Sequence, residues 1–299
     1  MTEASIPVDL LNPGQVFACI GFLEAADVLL GEAMGVFDWS EEETRFHLRA
    51  RGEENPFACV LRFLDRAEAR AVAVSGSPNV EAWKGSWGPI PSEHPREEGY
   101  PFPDPSSPAT LVCELVHGEH RIRLDHWGDE TRDNVKFWAG SGGYPGAALA
   151  RDALALLGGK AAEQVDDPFS FGVPQSSSFR LDWRRDYIPL DAGFSLNAHG
   201  HIEPIGYPIV ELLAAIGLSH ARPTAGRDKS GRRNKLEYRY GVVGRDATCR
   251  DLWLSPMFLR AGLGGLKDLP FPMRRFRMKL DWPGHENQAR AITVVTEET

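Results

Sequence analysis

The run from Asn12 to Gly31 constrains the fold more than any other part of the chain, because it reads as a helix with both ends marked and little that is polar between them. Asn12 accepts from free backbone amides, Pro13 suits the first helical position, and Gln15 stands three residues after the cap to complete a capping box. Gly31 supplies the stop. Phe17, Ile20, Leu23 and Val28 recur at steps of three to five, which predicts an apolar stripe wide enough for a buried face. A helix of this kind needs other elements to cover it.

The 299 residues suffice for one large or two ordinary domains. A hydrophobic share of 42% and a charged share of 25% are ordinary globular values, so no disorder is expected for the bulk. No apolar run is expected to reach the roughly 20 residues that span a bilayer, and Glu3 and Asp9 stand where a signal peptide would be basic and then apolar. A cytoplasmic protein without membrane contact is expected. Cys19, Cys59, Cys113 and Cys249 are far apart and form no Cys-x-x-Cys pair, which predicts structural thiols rather than a zinc or redox motif. The formal net charge of −9 excludes a protein that coats nucleic acid over its whole surface; any such contact requires basic residues concentrated locally.

Along the chain, Phe46, Leu48 and Ala50 alternate with Arg45, His47 and Arg49, which predicts a half-buried strand. Asn55-Pro56 opens a second amphipathic helix with Phe57, Val60, Leu61 and Leu64 on one face. Ala71 to Val74 reads as a short strand. Residues 75–108 are dense in proline and hold Trp83 and Trp87, which predicts a long surface loop. His117-Gly118-Glu119 separates the arms of a hairpin. Basic and apolar residues alternate before Leu-Asp in Arg121 to Asp125, Phe179 to Trp183 and Phe276 to Trp282, suggesting three related strands. Lys136 to Gly140 reads as a further strand, and helices are expected from Pro145 to Leu157 and from Pro208 onward. The fold expected is α+β, in two parts with mainly antiparallel strands and a few amphipathic helices. An N-terminal α+β domain at 1–165 carries the 75–108 loop, and a C-terminal one at 175–299 carries a basic loop at 226–235. An offset of 196 residues aligns Ala18, Ile20, Gly21 and Ala25 with Ala214, Ile216, Gly217 and Ala221, so the halves are either distant duplicates or a convergence of two buried helices.

Several of these strings together resemble a known family. Pro7-Val8-Asp9 with the Asn12 to Glu24 run, Lys136-Phe137-Trp138-Ala139-Gly140, Phe179 to Trp183 with Asp191 to Ser195, and Pro208 to Leu218 look like the large-subunit-like protein of subtype I-U (I-G) CRISPR–Cas systems. The resemblance is spread from about residue 6 to about residue 223 and includes no catalytic signature. It implies a non-catalytic subunit of an RNA-guided DNA surveillance (Cascade) complex, without a cofactor. Its partners would be other protein subunits, CRISPR RNA, target DNA and a helicase-nuclease. Its work would be flanking-motif recognition, target binding and recruitment of the helicase-nuclease.

The residues themselves offer three candidate sites. Arg227, Lys229, Arg232, Arg233 and Lys235 lie in a stretch to Arg239 with six cationic and two anionic side chains. It contains Gly231 and lacks amphipathic periodicity, so it reads either as a mobile loop that shapes itself to a phosphate backbone or as a merely solvated loop. The resemblance favours the first. Trp83, Lys84 and Trp87 suit base stacking or a duplex wedge, or else tie a long loop to the core. His199, His201 and Glu203 alternate as weak candidate metal ligands. Two other readings stay open beside the DNA-binding subunit. One is a protein-only adaptor, which the negative charge favours; the other is a metal-dependent hydrolase using those three residues. Walker, His-Glu-x-x-His, dinucleotide and Gly-x-Ser-x-Gly signatures are absent.

Overall fold

The computed structural model describes residues 1–74, 92–94, 112–126, 146–174, 181–184, 205–227, 230–281 and 291–298. It is an α+β fold with mostly antiparallel sheets. The marked helix is α1 (Pro13–Leu30); the Asn12 side chain accepts from Gly14 N, and Gly31 ends the helix at φ 79°. Gln15 does not close a box on Asn12. Its Oε1 accepts from Asp9 N at 2.8 Å, one turn further upstream. The apolar stripe is also an underestimate: every residue from Pro13 to Ala26 is buried, whereas Val28 is 46% exposed. By length and composition α1 is able to cross a membrane, contrary to the expectation above, yet most of it lies inside the protein.

What surrounds α1 explains this. One large sheet begins with β1 (Thr2–Pro7), β2 (Met34–Asp38) and β3 (Arg45–Ala50), and ends with β10 (Thr224–Arg227), β11 (Arg233–Arg245), β12 (Met273–Asp281) and β13 (Ala291–Glu298). Its order is β1-β3-β2-β11-β12-β13, with β10 on β11. Only the β2–β11 junction, Phe37 opposite Gly244, is parallel. In β3 the alternation is as read: Phe46, Leu48 and Ala50 are buried. A second sheet, β5-β4-β6-β7, joins β4 (Glu68–Val74), β5 (Ser92–His94), β6 (Val112–His117) and β7 (His120–Leu124). Thus regular structure does enter the proline-rich segment, where β5 pairs in parallel with β4. Short strands β8 (Val173–Pro174) and β9 (Ile205–Gly206) form a third ladder.

The remaining α-helices among the described residues are α2 (Pro56–Arg66), α3 (Gly146–Leu157), α4 (Pro208–His220) and α5 (Pro256–Leu263). Asn55 caps α2, and the four apolar residues read from the sequence are buried. Positive φ at Gly158 stops α3. Elements from both sides of residues 165–175 share the large sheet and a single hydrophobic core running from Ile6 to Ile292. Phe22 and Phe57 meet edge to face at 4.9 Å, and Tyr240 stacks on Phe276 at 5.2 Å. The Tyr240 hydroxyl donates to Leu10 O at 2.9 Å, which satisfies it inside the core.

At the centre α1 crosses α4 on two glycines. A methyl group at Gly21 would sit 1.9 Å from Leu213 O, and one at Gly217 would sit 2.1 Å from Phe17 O. Under the 196-residue offset Gly21 corresponds to Gly217 and Phe17 to Leu213, so the two close approaches are one contact repeated by a local two-fold. Gln15 corresponds to Glu211 in the same way. Gln15 holds Asp9 N, while Glu211 accepts from Leu181 N at 2.9 Å and Asp182 N at 3.2 Å. Each helix therefore uses a side chain of its first turn to hold the backbone of another segment.

Leu181 to Arg184 is not the strand expected from its alternation. Asp182 is buried and accepts from the Asn12 side chain at 3.0 Å and from Arg184 at 2.6 Å. Arg184 also lies over Tyr207 at 3.8 Å. These bonds fix the segment against the start of α1, where a methyl group on Gly14 would strike Leu181 O. The other two related stretches are strands, β7 and β12. The stretch 136–140 lies outside the described residues.

Candidate nucleic-acid interface

The basic segment is not an irregular loop. β10 and β11 pair antiparallel, with Thr224 opposite Arg239 and Arg227 opposite Arg233, and a register shift falls between Ala225 and Gly226. The hairpin forms because its turn contains Gly231 at φ 79°, where a side chain would be strained. Arg227 Nη1 donates to Gly231 O at 2.9 Å, closing the turn on itself. Arg227, Ser230, Gly231 and Arg232 are exposed. Arg233 and Lys235 belong to β11, and Lys229 lies outside the described residues. Arg227, Arg233 and Lys235 therefore belong to the strands of a β-ribbon, with Arg232 just before the second of them.

Trp83, Lys84 and Trp87 lie outside the described residues, as do His199, His201 and Glu203. Among the described residues no group of three His, Cys, Asp or Glu side chains is arranged to hold a metal ion. Cys19 and Cys113 are buried, and burial raises both thiols above the ordinary range.

The ribbon continues into a cationic row that the sequence reading did not assign to the site. Tyr238, Tyr240 and Val242 of β11 and Phe276, Met278 and Leu280 of β12 are buried. The residues between them point the other way, since strand side chains alternate. Register places Arg239 opposite Arg277, Glu237 opposite Lys279 and Gly241 opposite Arg275. α5 covers only one end of this face, where Gly262 approaches Gly241 and Val243. Arg275 and Lys279 are exposed. Arg239 is neutralised by Glu298 at 2.9 Å and Glu237 at 3.0 Å. Arg277 has no acceptor among the described residues, and its Nε is buried without a hydrogen bond. The signal in the sequence was the basic alternation of β12; its pairing with Arg239 depends on register.

Several other cationic side chains among the described residues have partners inside the protein. Arg245 bonds Asp38 at 2.7 Å, and Arg49, whose Nε is also buried without a hydrogen bond, lies 4.4 Å over Trp253. Burial and the Arg245 charge lower His47, against the opposing pull of Glu3 and Asp38. Glu24 of α1 is buried and ion-paired with Arg260 of α5, with His220 Nδ1 at 3.4 Å. Burial lowers the His220 pKa, against the opposing pull of Glu24. A cleft of 510 Å³ near the start of α1 is lined by Asp9, Gln15, Asp167, Arg184 and Arg274 among others. Its arginines are engaged, Arg184 by Asp182 and Arg274 by Glu297 at 2.6 Å. Comparison with protein-family models, with curated proteins and with solved structures returned no match.

Proposed function

We propose that this chain is a non-catalytic, nucleic-acid-contacting subunit of an RNA-guided DNA surveillance complex of the CRISPR type. The observation that carries the nucleic-acid part is the basic β10–β11 hairpin, with exposed Arg227 and Arg232 at its turn, on a chain of net charge −9. The sequence resemblance carries the assignment to the complex. In such a complex guide pairing reads sequence, while protein handles a few flanking base pairs and the phosphate backbone. An acidic subunit suits that division if its cations are concentrated on one projecting element and neighbouring subunits supply the remaining charge. In this reading the chain assists flanking-motif recognition and target binding, and presents opened DNA to a separate helicase-nuclease.

The second reading is a protein-only adaptor, favoured by the same net charge. Photocrosslinking of the assembled complex to target DNA separates the two. The subunit reading expects a crosslink to this chain that disappears when Arg227→Ala and Arg232→Ala are combined. Assembly of the chain into the complex without any crosslink would support the adaptor. Failure of the chain to co-purify with guide RNA and the other subunits would refute both.

A further inference from the structure

We infer that the open face of β11 and β12, centred on the Arg239–Arg277 pair, is a cradle for successive phosphates of a single nucleic-acid strand. The inference rests on the nucleic-acid reading above and extends it from the hairpin turn to the sheet. Like charges directly opposite on neighbouring strands destabilise a sheet, and Arg277 stands opposite Arg239. A buried guanidinium N–H with no acceptor adds a further penalty, and Arg277 Nε is one. Glu237 and Glu298 hold Arg239, and no acidic side chain among the described residues does the same for Arg277. An anionic oxygen bound on this face beside the half-buried Arg277 side chain offsets the charge that Glu237 and Glu298, engaged with Arg239, leave uncompensated there. A phosphodiester suits the guanidinium fork.

The flanking residues show why one phosphate is not the whole ligand. Arg275 and Lys279 lie two residues to either side of Arg277 and are exposed. Alternate residues of a strand are spaced by roughly 7 Å, which is close to the separation of successive phosphates on an extended strand. Across the ladder, exposed Thr296 lies opposite Arg277 and exposed Val294 opposite Lys279, giving a hydroxyl and an apolar surface beside the cations. Asp281 closes the row at the far end. The same β11 strand carries the hairpin, so both cationic groups belong to one ribbon.

The test uses the full chain and fluorescence anisotropy with a homothymidine DNA and a homouridine RNA oligonucleotide across a salt series. Combining Arg277→Thr with Lys279→Thr should weaken binding and reduce the slope of log affinity against log salt by about 1.4, since each phosphate that goes unneutralised on a single strand removes about 0.7. Arg277→Lys should keep the slope and lower affinity, because it retains charge without the fork. Without ligand, Arg277→Thr should melt no lower than wild type, because it removes the opposed charge. Binding of one oligonucleotide and not the other names the strand as DNA or RNA, and either supports the cradle. Unchanged affinity and slope in the double variant would overturn it, as would a lower melting temperature for Arg277→Thr, which would make Arg277 a structural residue. Absence of binding by the wild-type chain would also overturn the cradle while leaving the hairpin to the crosslinking experiment.

Discussion

Replacing Gly21 by alanine tests the helix crossing on which the core is assembled. The added methyl group would lie 1.9 Å from Leu213 O, against the 3.0 Å below which such approaches are essentially never found. The obstacle is backbone, so no rotamer change relieves it, and α1 and α4 must separate by about 1 Å. Overpacking of this kind costs roughly 1–3 kcal/mol, and loosened packing along the crossing adds penalties of the kind seen for core truncations, about 2–5 kcal/mol. Alanine returns up to about 1 kcal/mol of helix propensity. The net expectation is a destabilisation of roughly 2–7 kcal/mol for Gly21→Ala, and a similar value for Gly217→Ala, whose methyl group would meet Phe17 O at 2.1 Å. Because both methyl groups push the same two helices apart, the double variant should cost less than the sum of the singles. Urea unfolding followed by far-UV circular dichroism and by tryptophan fluorescence measures all three. Val28→Ala, on the exposed end of the same helix, should stay within about 0.5 kcal/mol of wild type. A Gly21→Ala protein as stable as wild type, or strictly additive singles, would refute the close reciprocal crossing.

Ile20→Asp puts a charge into a fully packed position and should prevent recovery of soluble folded protein; a soluble variant with a wild-type melting temperature would contradict the burial of α1. Arg260→Ala strands the buried Glu24 carboxylate and should cost roughly 2–3 kcal/mol in urea unfolding, below the full value of a buried pair because Arg260 is 39% exposed. The folded-state pKa values of His47 and His220 both lie below the ordinary histidine value. Their contribution to stability is therefore present above that value and is lost as pH falls from about 6.5 towards the folded values. Combining His47→Gln with His220→Gln should flatten the melting-temperature profile in that window, and an unchanged profile would refute the assignment.

What was legible in the sequence was what short-range chemistry decides. Asn12, Pro13 and Gly31 mark the ends of α1, and Asn55-Pro56 marks the start of α2, because caps act within a turn. The environment of α1 was not legible, since its second buried face is made by α4, almost two hundred residues away in sequence. The glycine pair was visible as a weak internal match; only the crossing gives it physical content. Local pattern misled in two places. Leu181-Asp182-Trp183 has strand alternation, but Asp182 is held by Asn12 and Arg184, and the amides of Leu181 and Asp182 are taken by Glu211, so the segment has no use for a ladder. Arg227 to Lys235 has glycine and charge like a loop, yet it pairs as a hairpin because a register shift at Ala225/Gly226 accommodates the irregularity. The Arg239–Arg277 opposition was invisible for a simpler reason: register between strands is set by the whole sheet.

The central claim is that the hairpin meets nucleic acid through its phosphates, and target binding by the assembled complex across a salt series tests it most directly. Wild type is compared with the variant combining Arg227→Ala and Arg232→Ala, two exposed residues at the turn. The account predicts normal assembly, weaker binding to all targets alike, and a salt slope shallower by about one unit for each phosphate no longer neutralised. Unchanged affinity and unchanged slope in a fully assembled variant complex would contradict it and leave the chain as an adaptor between protein subunits.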